Sequence, residues 1–127
     1  MPEYLNVDGH DLYCYEWENQ GEAVVLLHGG MSQTAHWASN IVPALEDYHV
    51  FAYDRSSHGF TAYREESINF KFQLREAIAY LENVVNEPAH IVGWSDGGII
   101  GMMIAIERPE LVKSLVLIGA NFHYNGT

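Results

Sequence analysis

The sequence predicts an α/β fold: a mostly parallel sheet with an antiparallel hairpin at its amino end and helices on both faces. Three observations carry that expectation. Short continuous apolar runs recur along the chain, as strands buried on both faces require. Between them lie stretches whose apolar residues repeat at helical spacing. The connections are short, as a single layered unit of alternating strands and helices demands.

Each element has its own signal. Tyr4 to Val7 and Leu12 to Trp17 flank Asp8-Gly9-His10, which reads as the turn of a hairpin. Ala23 to Leu27 is a buried strand. Ser32-Gln33-Thr34 leads into a helical stretch carrying Trp37, Ile41 and Leu45, which Pro43 distorts or shortens because it lacks a backbone donor. Val50 to Tyr53 is the next strand, followed by a turn-rich loop from Asp54 to Thr61. Phe70 to Val85 is the clearest helix: Leu74, Ile78, Leu81 and Val85 share a face, and Ser67 is placed to cap its start. Ile91 to Gly93 is a strand, Gly97 to Glu107 a helix, and Ser114 to Ile118 the last strand.

The 127 residues suit one domain, and no repeat, low-complexity segment or linker divides them. No apolar run is long enough to cross a bilayer, so no membrane association is expected. Met1 to Gln20 lacks the basic front and apolar stretch of a secretory signal, which places the protein in the cytoplasm. Cys14 is the single cysteine and reads as a packed thiol within a strand. A formal charge of −11, with only six scattered Lys and Arg, argues against nucleic acid as a partner.

Gly93-Trp94-Ser95-Asp96-Gly97-Gly98 fits G-x-S-x-G where a buried strand turns into an apolar helix. A serine on so tight a turn adopts a strained backbone, and its neighbours two residues either side must be nearly free of side chain. Ser95 is therefore the candidate nucleophile. The helix opening at Asp96 directs backbone N–H groups at developing negative charge. An acyl-transfer site needs a second, convergent donor, and His28-Gly29-Gly30-Met31, directly after a strand, supplies it. Gly30 is the first choice and Met31 the alternative, since the register of the loop is open.

The order of strand, His28-Gly29-Gly30, helix, strand, Asp54 through Gly59, helix, strand and Gly93 through Gly98 resembles the α/β-hydrolase family. Gly93 to Ile99, with Pro109, Val112 and Gly119-Ala120-Asn121, is similar to its valacyclovirase (biphenyl-hydrolase-like) branch of amino-acid-ester hydrolases. The resemblance implies a partial α/β-hydrolase fold, covering the first half of the family's architecture through the sixth strand. It also implies that the Asp96 carboxylate holds a substrate ammonium group; an ordinary acidic residue at a helix start is the other reading. The family's Asp-x-Arg-Gly-x-Gly loop is here Asp54-Arg55-Ser56-Ser57-His58-Gly59, which loses or reroutes a structural salt bridge. The family's acid follows its seventh strand and its histidine the eighth, whereas these residues end just past the sixth. None of His10, His28, His36, His49, His58, His90 and His123 occupies the catalytic position, though His28, His58 and His123 fall near the same edge of the sheet.

The expectation is a serine hydrolase of small esters or amides, incomplete in this chain, with no metal or organic cofactor. Carbon–carbon bond hydrolysis is the alternative from the same fold, and a non-catalytic assembly module the alternative from another class. The partners expected are a small-molecule ester and either further copies of the chain or the missing carboxyl-terminal half.

Overall fold

Each stretch read from the sequence as a strand is a strand in the computed structural model, which describes residues 3–7, 9–28, 41–54 and 70–118. Strands β1 (Glu3–Val7), β2 (His10–Trp17), β3 (Ala23–Leu27), β4 (His49–Tyr53), β5 (Ala89–Trp94) and β6 (Val112–Ile118) form one sheet in the order β1-β2-β4-β3-β5-β6. The first two make the hairpin, with Gly9 at a φ of 78° that glycine adopts without penalty. β2 meets β4 antiparallel, and β4, β3, β5 and β6 run parallel. β5 and β6 slip in register: Ala89 faces Val112 while His90 faces Ser114, leaving Lys113 as the extra residue of a bulge.

Alternation along the central strands divides the core in two. Val25, Leu27, Phe51, Tyr53 and Ile91 face one side and Val24, Leu26, Val50, Ala52 and Val92 the other. Helices α1 (Phe70–Tyr80) and α2 (Asp96–Glu107) cover the first side. Leu74, Ala77 and Tyr80 of α1 and Ile100 and Ile104 of α2 are buried there, and the Tyr80 hydroxyl donates to the Ala52 carbonyl at 3.2 Å. Against the second side lies a 3-10 turn, Val42–Leu45, with Pro43 among its first residues, where a missing N–H costs no hydrogen bond. The helical stretch expected to lead into it, like the Ser67 cap, falls on residues outside those described.

The helix expected from Phe70 to Val85 is α-helical only to Tyr80. Its last turn, Leu81–Val85, widens to a π-helix, closed by an Asn86 N–H bond to the Leu81 carbonyl at 2.8 Å. Asn86 takes the left-handed conformation, φ 58° and ψ 31°, which asparagine tolerates better than most residues, and Pro88 prevents the helix from resuming. Among the described residues, no helix is long and apolar enough to cross a membrane.

Candidate nucleophile site at the carboxyl end of strand β5

The sheet order creates the place for a site. From β3 the chain passes to β4 on one side, whereas β5 lies on the other, so the crevice beyond β3 and β5 is the switch point where open α/β sheets take ligands. Ser95 stands there, between the last residue of β5 and the first of α2. Its φ of 55° and ψ of −117° belong to a region that side chains strongly disfavour.

The glycines on either side make that turn possible. A Cβ on Gly93 would lie 2.6 Å from the Gly97 carbonyl oxygen and from the Gly98 Cα. One on Gly97 would lie 2.1 Å from the Leu27 carbonyl oxygen and 2.6 Å from that of His28. The start of α2 thus rides directly on the backbone where β3 ends, and only glycine permits that approach. A turn further on, Gly101 lets α2 settle over β5 and β6, where a Cβ would meet Leu115 at 2.9 Å and Ile91 at 3.3 Å.

Three backbone bonds hold Ser95. Its N–H donates to the Ile118 carbonyl at 2.9 Å, and its own carbonyl accepts from Gly98 at 2.8 Å and Ile99 at 3.2 Å. The serine side chain does not cap the helix, so its oxygen is not committed to α2. The N–H groups of Asp96 and Gly97 precede the first bonds internal to the helix and form its positive end. The arrangement can present a hydroxyl, with oriented N–H groups beside it, to a carbonyl carbon arriving from the crevice.

Other expected residues fall around this centre or outside the description. His28 is fully buried at the end of β3. Gly30, Met31, His36, His58 and His123, together with Gly119 to Asn121, lie outside the described residues, as does the Asp96 side chain, although its backbone opens α2. Cys14 is buried with its Sγ directed at the Leu12 carbonyl; burial first, then the Glu3 and Asp54 charges, push its thiol up to about 12. One feature escaped sequence reasoning. Asp54, fully buried after β4, accepts a hydrogen bond from the Tyr15 hydroxyl at 3.1 Å, and burial together with that charge raises the Tyr15 hydroxyl well above its ordinary value. A tyrosine in the strand antiparallel to β4 was the available signal.

Comparison with known proteins gives the same architecture. The family described as the alpha/beta hydrolase fold matches residues 22–126. A putative carbamate hydrolase, RutD, from Pseudomonas syringae is 32% identical over 98 residues, 76% of this chain and 38% of that protein. Esterase Rv0045c from Mycobacterium tuberculosis is 32% identical over 120 residues, 93% of this chain and 39% of the esterase. The crystal structure of epoxide hydrolase VrEH1 from Vigna radiata superposes with a TM-score of 0.86 at 22% identity, covering 97% of this chain and 41% of that one, a likeness of fold. The chain spans about two fifths of the length of these proteins.

Proposed function

The chain belongs to the α/β-hydrolase fold family, and from that premise we propose that it is the nucleophile-bearing part of a serine hydrolase of small esters or amides. The observation that carries this reading is the strained Ser95 backbone at the switch point, between glycines that admit no side chain. Strain held in place by close packing is characteristic of working sites. RutD is by name a putative carbamate hydrolase and Rv0045c an esterase, and both names denote hydrolysis at a carbonyl carbon, which supports the substrate class.

In the proposed reaction Ser95 Oγ attacks the carbonyl carbon as a histidine takes its proton. The N–H of Asp96 and that of Gly30, or Met31, hold the tetrahedral oxyanion. The leaving group departs with the proton, and water repeats the sequence on the acyl-serine. By resemblance the histidine and its acid come from the later strands, in the three fifths of the relatives that this chain does not span. An amino-acid ester is the finer substrate reading, with the Asp96 carboxylate on its ammonium group.

Phosphonylation by a fluorophosphonate, read by peptide mapping, tests the assignment of the nucleophile. In the full-length protein we expect rapid modification of the Ser95 peptide, with ester turnover lost in Ser95→Ala; turnover unaffected by that change would refute the reading. The 127 residues alone should hydrolyse p-nitrophenyl acetate only weakly, since a serine hydroxyl without a base is a poor nucleophile. A fast, Ser95-dependent rate from them alone would instead assign the base to a histidine within the chain.

A further inference from the structure

At the opposite end of the parallel strands, three side chains from neighbouring segments meet. Ser114 Oγ lies 2.7 Å from His90 Nδ1, and His90 Nε2 lies 2.5 Å from Glu22 Oε1. Register explains the meeting. Val24 faces His90 and His90 faces Ser114 across β3, β5 and β6, and Glu22 precedes Val24 by two residues, which returns it to the same face. The bulge brings Lys113 to the same corner, its Nζ 3.7 Å from Glu22 Oε2.

The donors can be assigned. The His90 bond, then the Lys113 charge, hold the Glu22 carboxyl below its ordinary value, so it is a carboxylate and only accepts. In the neutral ring Nε2 then carries the proton, which leaves Nδ1 with a lone pair to accept the Ser114 O–H. That is the order of a nucleophile, a base and the acid that orients it. The corner is open to solvent, with the His90 side chain 27% and that of Glu22 58% exposed. It lies about 16 Å from Ser95 along β5, at roughly 3.3 Å per residue.

We propose that Ser114, His90 and Glu22 form a second nucleophilic site, in which Ser114 accepts acyl or phosphoryl groups from small activated electrophiles. With a phosphonyl fluoride, the Ser114 oxygen bonds to phosphorus as the P–F bond breaks. Fluoride leaves, and the hydroxyl proton passes to His90 Nδ1 while Nε2–H keeps its hydrogen bond to the Glu22 carboxylate. The imidazolium then releases its proton to solvent. With an aryl ester the bond broken is that from the acyl carbon to the aryl oxygen, and the aryloxide takes up the proton.

The test uses the Ser95→Ala protein, so it stands apart from the fate of the Ser95 assignment. Ethyl fluorophosphonate is added at pH 8 and modification of Ser114 is followed by peptide mass mapping, against N-acetylserine amide as the unactivated standard. We expect Ser114 to react at least about 100-fold faster than the standard. Adding His90→Gln should cut that rate about tenfold or more, and adding Glu22→Gln severalfold. Glu22 is exposed, so its variant folds even if that of His90 does not, and circular dichroism verifies both. A Ser114 rate no greater than the standard, or one that Glu22→Gln leaves unchanged, overturns the proposal.

Discussion

At Ser95 the protein holds a conformation that a side chain resists, at a cost on the order of 1 to 3 kcal/mol for a residue in such a region. Glycine meets no such resistance, because it has no Cβ to crowd the neighbouring carbonyls. Ser95→Gly is therefore expected to raise the unfolding free energy by up to about 1 kcal/mol while removing the hydroxyl. Ser95→Ala removes the hydroxyl but keeps the strain, so its stability should stay close to that of the parent. Urea denaturation of the two variants makes the comparison. A glycine variant less stable than the alanine variant would mean that Ser95 is not strained. The prediction separates geometry from chemistry, since both variants lack the same hydroxyl.

The elements at the turn are fixed to each other by backbone contacts, and there a single methyl group is decisive. Gly97→Ala would drive a Cβ to within 2.1 Å of the Leu27 carbonyl oxygen, a rigid strand atom that cannot move aside as a side chain would. We expect a loss of about 3 kcal/mol or more, or failure to fold, read from the urea midpoint. Gly9→Ala is the matched control: among the described residues nothing lies within 4 Å of its Cβ, so only its positive φ is penalised, by roughly 1 to 2 kcal/mol. Equal losses at the two positions would show that crowding at the elbow is unimportant. These elements were legible in the sequence for the same reason that they are rigid. Gly93 and Gly97 flank a serine between an apolar run and an apolar helix, the pattern that so tight a strand-to-helix turn requires. What stayed hidden depended on pairing across the sheet. The Tyr15 bond to Asp54 spans 39 positions and the His90 bond to Glu22 spans 68, and neither leaves a periodic trace along the chain. The π-turn at Leu81–Val85 stayed hidden too, because apolar spacing continues through it and only the conformation of Asn86 marks the change.

On the scale of the whole molecule the sheet is unevenly protected. β3 is buried throughout, whereas β6, at the edge of the sheet formed by the described residues, exposes Val116 by 50% and Ile118 by 39% on the face that also carries Ser114. An apolar strand with an open hydrogen-bonding edge invites another strand. The 127 residues by themselves are accordingly expected to associate. Multi-angle light scattering at rising concentration should show species heavier than the 14.4 kDa chain, and Val116→Lys with Ile118→Lys should return it to a monomer. A parent chain that stays monomeric at millimolar concentration would contradict this. By resemblance the other occupant of that edge would be a later segment of the longer relatives, and supplying it should suppress self-association.

The bond from the Ser95 N–H to the Ile118 carbonyl gives that edge a consequence for chemistry. Ser95 and the last residue of the edge strand share one hydrogen bond, so their equilibria are expected to be thermodynamically linked. On that expectation, a strand that docks beside β6 and holds Ile118 in place also favours the Ser95 backbone geometry described above. Linkage is reciprocal: a ligand that binds Ser95 reversibly in that arrangement must strengthen docking at the edge by the same factor that docking strengthens the ligand. Phenylboronic acid, which adds reversibly to an activated serine, is therefore expected to lower the dissociation constant for whatever occupies the edge, and to lose that effect in Ser95→Ala. Association unchanged by saturating boronate would show that the two ends of this bond move independently. If they are linked, the Ser95 hydroxyl reports on the company kept by the sheet.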